Sequence, residues 1–192
     1  MMTTIHILAI PGSLRKSSFN RGLLVSAGEL LPDGMTLEIF DLHDIPFYNE
    51  DVEKTGDPLA VAEFKDRIAA ADALLIATPE YNHSIPGVLK NALDWASRGK
   101  PAVVSGKPLA ILGGGGNFGS VRAQDDLRKV ATTINMQVLN RPEVAVQRIR
   151  EKFNLEGRLV DEITRQQIAA LLFALRDWTL RLQEQKILAS PN

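Results

Sequence analysis

The sequence predicts an α/β fold in which a parallel, doubly wound sheet lies between two layers of helices. Short apolar runs with the length of buried strands alternate along the chain with longer segments of helical periodicity. Such alternation needs crossover connections, and these favour a parallel sheet with helices on both faces. The chain has 192 residues, of which 45% are hydrophobic and 23% are charged. We therefore expect one globular domain over residues 1–192.

Five apolar runs are the predicted strands. The first four have the length expected for strands that are buried on both faces of a sheet. The fifth run shows a weaker pattern. The five runs cover residues 5–10, 37–40, 73–77, 109–112 and 137–146.

Five further segments are the predicted helices, because their apolar residues recur at i, i+3 and i+4. In the third of these segments, Pro86 suits the first turn of a helix and Gly99 suits its end. The five segments cover residues 20–31, 59–71, 86–98, 120–134 and 160–184.

Composition and charge exclude several classes of function. The net charge is -1, so the protein has no overall field that would attract nucleic acid or anionic lipid. The chain has no cysteine and only three scattered histidines, which argues against a thiolate nucleophile, a disulfide framework and a metal site. The sequence has no pattern of a signal peptide or of a membrane span. We expect a cytoplasmic protein with no metal and no nucleic-acid or membrane partner.

Three unusual loops follow the first, third and fourth predicted strands. In a doubly wound sheet, ligands bind outside the carboxyl ends of the strands, near the point where the strand order reverses. The predicted topology therefore brings these loops to one edge of the sheet. Their sequences are GSLRKSSFN, TPEYNHSIPG and GGGGNFGSVR.

The first loop has the side chains of an anion site. Ser13 and Ser18 offer hydroxyl groups, Asn20 offers an amide, and Arg15 offers a charged fork of donors beside the start of a helix. This set suits a terminal phosphate monoester. The loop lacks the Walker A pattern, which weakens the case for ATP or GTP. The alternative interpretation is a helix N-cap formed by Ser17 or Ser18, with Arg15 solvated.

The second loop is suited to a flat heterocycle. Pro79 and Pro86 restrict its backbone, so the polar groups between them can be held in fixed directions, and Tyr81 can supply a planar contact. The alternative is a simple turn between prolines, with Tyr81 packed on its own helix. His83 is a candidate general acid or a solvated side chain, and the sequence leaves its role open.

The third loop has two interpretations. Gly114, Gly116 and Gly119 form a G-x-G-x-x-G pattern, and Glu143 is a candidate ribose ligand, as in dinucleotide-binding domains. That fingerprint belongs to the first βα unit of such a domain, whereas this one lies in the fourth. The other interpretation is a wall of glycines that lets the backbone approach a planar ring closely.

The motifs GSLRKSSFN, PEYNHSIPGVLKNALDW and GGGGNFGSVRAQDDLR together resemble the NADPH-dependent FMN reductase family. This family includes chromate and quinone reductases and some azoreductases. The resemblance extends over nearly the whole chain and implies a flavodoxin-like three-layer sandwich. It also implies a five-stranded parallel sheet with the order 2-1-3-4-5 and a protein that binds FMN as a homodimer or homotetramer. The helix over residues 86–98 resembles the helix that forms the family's dimer, with Trp95 as a core residue as the alternative.

The resemblance also assigns roles to the residues that match the family's motifs. The first loop would hold the phosphate of FMN, and the second and third loops would border its ring. No catalytic residue is implied, because FMN carries the chemistry. The cofactor-binding residues implied in this way are Ser13, Arg15, Ser18, Asn20, Pro79, Glu80, Tyr81, Asn82, Ser84, Gly113, Gly114, Gly115 and Gly116.

The function implied by the resemblance is an NAD(P)H-dependent, FMN-containing reductase. Hydride would pass from NAD(P)H as co-substrate, through bound FMN, to quinones or other two-electron acceptors such as flavin, azo compounds or chromate. Two alternatives remain at this point. One is a flavodoxin-type electron carrier that does not oxidise NAD(P)H, and the other is an NAD-binding dehydrogenase module that uses the glycines of the third loop.

Overall fold

A parallel sheet forms the centre of the computed structural model, which describes residues 4–189. Its strands run in the order β2-β1-β3-β4-β5, and β6 also pairs with β4. This order confirms the doubly wound, flavodoxin-like sheet that the sequence predicts. The strands are β1 (Ile5–Pro11), β2 (Met35–Ile39), β3 (Ala73–Ala77), β4 (Pro108–Gly114), β5 (Gln137–Val138) and β6 (Val144–Val146).

The fifth predicted strand is split into β5 and β6, which both pair with β4. Leu109 pairs with Val138, and Leu112 pairs with Val144. The chain therefore advances six residues here while β4 advances three. Leu139 N still donates to Leu109 O at 2.8 Å, and residues 140–143 leave the ladder. Pro142 lies in this excursion, and a proline has no N–H to donate to a ladder. The predicted run is correctly placed, and its interruption explains why its pattern is weak.

Helices cover both faces of the sheet. The five predicted helices are present, with ends that differ from the predictions by a few residues at most sites. Two short elements were not predicted, since a single turn is too short to show periodicity. They are α2 and a 3-10 turn at Ile149–Lys152. The helices are α1 (Phe19–Glu29), α2 (Glu50–Glu53), α3 (Leu59–Ala70), α4 (Gly87–Ala96), α5 (Val121–Thr133) and α6 (Glu162–Ala189).

The core consists of two apolar layers, one on each face of the sheet. Ile7 and Ala9 of β1 belong to the layer that contains buried residues of α1 and α6. Leu8 and Ile10 of the same strand belong to the layer that contains residues of α3, α4 and α5. Successive side chains of a strand point to opposite faces of the sheet. A strand that is covered on both faces must therefore be apolar on both faces. This requirement explains the apolar runs in the sequence.

The α4 helix is anchored inside the protein by Trp95. The Trp95 side chain is fully buried, and its Nε1 donates to the carbonyl of Pro46 at 2.9 Å. Pro86 was predicted in the first turn of this helix, but it occupies the N-cap position, one residue before the helix begins at Gly87. Gly99 has a φ of 101° and lies two residues after the C-cap Ser97, so the chain turns away at the predicted end of the helix.

Within residues 4–189, no helix combines the length and apolar character that crossing a membrane would require. The same residues contain no cluster of three or more histidine, cysteine, aspartate or glutamate side chains that could hold a metal ion.

The start of α6 makes the stability sensitive to acid. Asp161 accepts hydrogen bonds from Lys152 Nζ at 2.8 Å and from the Thr164 backbone N–H at 3.0 Å. Together with a hydrogen bond from Thr164 Oγ1 at 2.7 Å, these contacts lower the pKa of Asp161 to about 2, and that of Lys152 has the largest effect. Its carboxylate stabilises the fold fully above the unfolded-state pKa of about 3.9, and this stabilisation is lost as the pH falls through the folded-state value.

We expect Asp161→Asn to unfold more easily than wild type at neutral pH and to lose this disadvantage between about pH 4 and about pH 2. Urea unfolding across that range measures the effect. Asp33→Asn is the control, because Asp33 is exposed and forms no ion pair with another described residue. A difference between Asp161→Asn and wild type that stays constant with pH would contradict the assignment.

Candidate functional site

A cavity of about 460 Å³ opens at the carboxyl ends of β1, β3 and β4. The loops that follow these strands form its wall, so the three motifs singled out in the sequence meet at one place. This is the position where doubly wound sheets bind ligands. The predicted residues that line the cavity are Ser13, Arg15, Ser18, Asn20, Pro79, Glu80, Tyr81, Gly114, Gly115 and Gly116.

The amino end of α1 faces this cavity. Ser18 is the N-cap of the helix, and its Oγ accepts a hydrogen bond from Arg21 N at 3.4 Å. The alternative interpretation of this loop as a helix N-cap is therefore correct for Ser18. A capped helix still leaves other N–H groups of its first turn without an intrahelical acceptor, and its dipole is positive there. Capping and anion binding are thus compatible at this loop.

Ser13 and Arg15 line the same end of the cavity. Ser13 is 7% exposed, and its Oγ accepts from Arg15 N at 3.3 Å and lies 3.5 Å from the hydroxyl of Tyr81. The Arg15 guanidinium is exposed and donates to the carbonyl of Ser17 at 3.0 Å. Arg15 forms no ion pair with a carboxylate of residues 4–189. Its positive charge is therefore available to an anionic ligand.

Asn20 joins the first loop to the third. Its Nδ2 donates to the carbonyl of Gly114 at 3.0 Å, and its Oδ1 accepts from Gly114 N at 2.9 Å. The side-chain amide thus takes the place of a peptide group and extends the hydrogen bonding at the end of β4. Its predicted role was to donate to a ligand. The sequence gives no sign of this link, because the two residues are 94 positions apart.

The second loop contains a tight turn. Tyr81 N donates to Ser84 O at 3.0 Å, and Ser84 N donates to Tyr81 O at 3.1 Å. Asn82 and His83 between them have φ values of 50° and 65°, as in a type I′ turn. Pro79, Glu80 and Tyr81 line the cavity, whereas Asn82 and Ser84 do not.

Two side chains fasten the second loop to α5. Glu80 accepts hydrogen bonds from the backbone N–H and from Nη1 of Arg122, each at 3.1 Å. Ser84 Oγ donates to Asp126 at 2.7 Å. Ser84 therefore orients the loop from outside the cavity. Tyr81 is half exposed, and its ring is not packed in the core.

The glycines of the third loop permit close packing. A Cβ at Gly113 would lie 2.1 Å from the carbonyl of Thr78, and one at Gly115 would lie 2.3 Å from the carbonyl of Gly119. Gly113 does not line the cavity, since it faces Thr78 inside the sheet. A Cβ at Gly116 would meet no atom within 4 Å, so the free space lies at this glycine.

The sequence did not indicate a fourth wall of the cavity, which the 3-10 turn after β6 provides. Arg148 N donates to Gly116 O at 2.8 Å, and Ile149 N donates to Gly115 O at 3.0 Å. The position of this segment could have indicated its role, because it follows a strand of the same sheet and so lies at the same edge as the other three loops. The lining residues that were missed are Phe19, Arg148, Ile149, Arg150 and Glu151.

Comparison with known proteins identifies the family. The sequence profile of the NADPH-dependent FMN reductase family matches residues 5–151. The chain belongs to this family. The resemblance noted from the three motifs is thereby confirmed. This FMN reductase is an oxidoreductase. FMN is its cofactor, and a reduced nicotinamide dinucleotide is its co-substrate.

Relatives of this FMN reductase match it along almost their whole length. An NAD(P)H-dependent FMN reductase of Pseudomonas aeruginosa is 48% identical over 184 residues, which are 95% of this chain and 100% of the relative. An NADPH:quinone oxidoreductase of Arabidopsis thaliana is 42% identical over 185 residues, 93% of this chain and 94% of the relative. The solved structure of FerB, a flavoenzyme NAD(P)H:(acceptor) oxidoreductase from Paracoccus denitrificans, superposes with a TM-score of 0.84 at 33% identity. The superposed region covers 92% of this chain and 98% of the FerB chain.

The third loop does not have the setting of a dinucleotide fingerprint. Gly119 N donates to Gly116 O at 3.2 Å, so these glycines close a tight turn. Glu143, the candidate ribose ligand, pairs with Arg141 at 3.3 Å and does not line the cavity. The family and this geometry both argue against the dehydrogenase alternative.

The residues present fit a flavin mononucleotide. One end of the cavity has Arg15, Ser13 and the start of α1, which suit a phosphate dianion. The other end has Pro79 and a glycine wall, which leave room for a flat ring. The cavity volume lies within the range of about 300–1,000 Å³ that is usual for ligand sites.

We expect Gly116→Leu to fold normally and to bind FMN at least about tenfold more weakly, because the new side chain would fill part of the cavity. Fluorescence titration of the apoprotein with FMN and urea unfolding test the two statements. Gly28→Leu is the matched control, since a Cβ at this α1 glycine also meets no atom within 4 Å and the residue lies outside the cavity. Unchanged FMN affinity in Gly116→Leu would show that Gly116 does not border the flavin.

Proposed function

We propose that this protein is an NAD(P)H-dependent, FMN-containing reductase that acts on quinones or other two-electron acceptors. The observation that carries the proposal is that the loop with Ser13 and Arg15, the loop with Pro79 and Tyr81, and the glycine loop after β4 line one cavity at the carboxyl edge of the sheet. Flavin, azo compounds and chromate are further acceptors of the same class. The quinone oxidoreductases among the relatives support this substrate class.

In this proposal the first loop holds the phosphate of FMN. Ser13 and Arg15 donate to its oxygens, together with the first-turn N–H groups of α1, which Ser18 caps. Asn20 fixes the third loop against the first through its two bonds to Gly114. The phosphate end of the ligand is thereby set relative to the ring end.

The ring end would be bordered by Pro79, Tyr81 and the segment Gly114 to Gly116. Glu80, Ser84 and Gly113 act through the loops that they hold, and Asn82 lies at the tip of the turn. These four residues hold the second and third loops in position and thereby place the wall of the cavity. Their substitution should change FMN affinity through a change in loop geometry.

When bound, FMN supplies the exchange of hydride with NAD(P)H and of two electrons with the acceptor. The chain itself supplies binding and orientation. The ionisable side chains on the described cavity wall are Arg15, Glu80, Tyr81, three residues of the 148–151 turn and no histidine. Glu80 is already engaged with Arg122. We therefore assign no general acid or base to the chain.

We also propose one flavodoxin-like domain over residues 1–192 that self-associates as a homodimer or homotetramer in the cytoplasm, without nucleic-acid or membrane partners. The exposed apolar side chains of Phe118 (63%) and Val121 (46%) beside the cavity loops support self-association. A lack of cysteine is compatible with a reducing compartment. Sedimentation velocity measures the assembly, and a monomer at micromolar concentration would contradict it.

The experiment that tests the function is a spectrum followed by kinetics. We expect the purified protein to be yellow, to release FMN on heating, and to oxidise NAD(P)H in the steady state when a quinone such as menadione is present. Bound FMN without NAD(P)H oxidation would indicate an electron carrier. A colourless protein that binds NADH but not FMN would overturn the proposal.

A further inference from the structure

A groove of about 680 Å³ continues from the phosphate end of the cofactor cavity. The two spaces share Arg15, Ser18, Phe19 and Arg150 along their common edge. From this edge the groove passes over the first turns of α1 to the turn at residues 153–157. It lies at the opposite end of the cavity from the loops assigned to the ring.

The groove is lined by four cationic side chains and one carboxylate. Arg15, Lys16, Arg21 and Arg150 line it, against the single carboxylate of Glu156. Arg21 pairs with Asp41, which lies outside the groove. Within residues 4–189, the side chains of Lys16 and Arg150 have no hydrogen-bond or ion-pair partner. In a chain of net charge -1, this excess of positive charge is local and favours an anionic ligand.

An ordered apolar surface lies beside these cations. Phe153 is buried and packs on Phe19, with ring centroids 5.1 Å apart. A Cβ at Gly22 would lie 2.6 Å from the Phe153 ring, so this glycine allows the ring to rest on α1. Val25 and the fully exposed Leu155 complete the apolar lining. An apolar surface next to free cations suits a ligand with a flat base and a phosphate.

We propose that this groove binds the adenosine half of NADPH, with Lys16 and Arg150 holding its 2′-phosphate. The inference rests on the proposed function, because it takes NAD(P)H as the reductant. A dinucleotide is longer than FMN. In the proposed orientation the nicotinamide lies at the ring end and the chain runs toward the phosphate end, so that the adenosine extends past the phosphate loop, where the groove begins. NADPH differs from NADH only by the 2′-phosphate, so cations at this point select NADPH.

The first test measures binding without turnover. Calorimetry on the FMN-loaded protein compares adenosine 2′,5′-bisphosphate with adenosine 5′-phosphate. We expect the bisphosphate to bind about 10-fold to 100-fold more tightly, from one or two charge-assisted hydrogen bonds. The preference should decrease as salt rises, because the groove is exposed. Equal affinity for the two nucleotides would overturn the proposal.

The second test removes the two cations. The double variant Lys16→Gln, Arg150→Gln, with FMN loading verified by absorbance, should lose the preference for the bisphosphate. Arg158→Gln is the matched control, since Arg158 is an exposed cation of the neighbouring turn that does not line the groove. We expect Arg158→Gln to keep the preference. A double variant that keeps it would also overturn the proposal.

Steady-state kinetics separate this inference from the proposed function. In the double variant, the ratio of kcat/KM for NADPH to that for NADH should fall by a similar factor, through the KM for NADPH. A wild-type enzyme that oxidises both nucleotides equally would contradict the groove assignment and leave the reductase activity established. A protein that prefers the bisphosphate but oxidises neither nucleotide would contradict the reductase activity and retain the groove as a 2′-phosphate site.

Discussion

Replacing Arg15 with alanine is expected to weaken FMN binding by about 1.5–3 kcal/mol, roughly tenfold to a hundredfold in Kd, since one hydrogen bond to a charged group contributes about that much. The phosphate of FMN is a dianion. Arg15 lines its proposed site and forms no ion pair with a carboxylate of residues 4–189. Removal of this side chain therefore takes away the charge that faces the ligand and breaks no ion pair of the fold.

Fluorescence titration of the apoprotein measures this effect, and urea unfolding should show a change of less than about 0.5 kcal/mol, as for other surface substitutions. Arg15→Lys should be intermediate, because it keeps the charge and loses the two-pronged geometry. Arg158→Ala is the control for loss of an exposed cation outside the cavity. Full FMN affinity in Arg15→Ala would make the phosphate assignment wrong.

Asn20→Leu is expected to lower the free energy of unfolding by about 2–5 kcal/mol and to reduce FMN affinity as well. Asn20 is 4% exposed, and leucine has a similar size without hydrogen-bonding groups. The substitution leaves the buried N–H and carbonyl of Gly114 without their side-chain partner. The third loop is then no longer fixed against the first, so the two ends of the flavin site lose their relative position.

A more conservative variant separates the two hydrogen bonds of Asn20. Asn20→Asp keeps the acceptor for Gly114 N and replaces the donor to Gly114 O with a second oxygen, so we expect a loss of stability from one bond and from repulsion. Asn117→Leu is the control, because Asn117 is an exposed residue of the third loop. An unfolding free energy of Asn20→Leu equal to that of wild type would show that the link to Gly114 does not stabilise the fold.

The sheet was predictable from the sequence because its strands are covered on both faces. Ile7 and Leu8 are neighbours in β1 and lie in different apolar layers, so both had to be apolar. The meeting of the three loops was predictable for a related reason. Parallel strands bring their carboxyl ends to one edge, and the loops after β1, β3 and β4 then form one wall.

The missed features depend on contacts between residues that are distant in the sequence. The link from Asn20 to Gly114 spans 94 positions, and no local pattern marks it. The 3-10 turn lines the cavity because Arg148 N and Ile149 N donate to glycines of the third loop. Lys16 and Arg150 line one groove although they lie far apart in the sequence. Composition and periodicity describe each of these segments separately, and only the fold brings them together.

The division of the last strand into β5 and β6 also affects how the protein behaves at high concentration. An uninterrupted strand at the border of a sheet presents a row of unpaired backbone groups, to which a strand from another molecule can add. Here the edge of the sheet consists of the two-residue strand β5 and the three-residue strand β6, which are separated by a segment that contains Pro142. Neither piece is long enough to act as a template, so this border resists aggregation through strand addition.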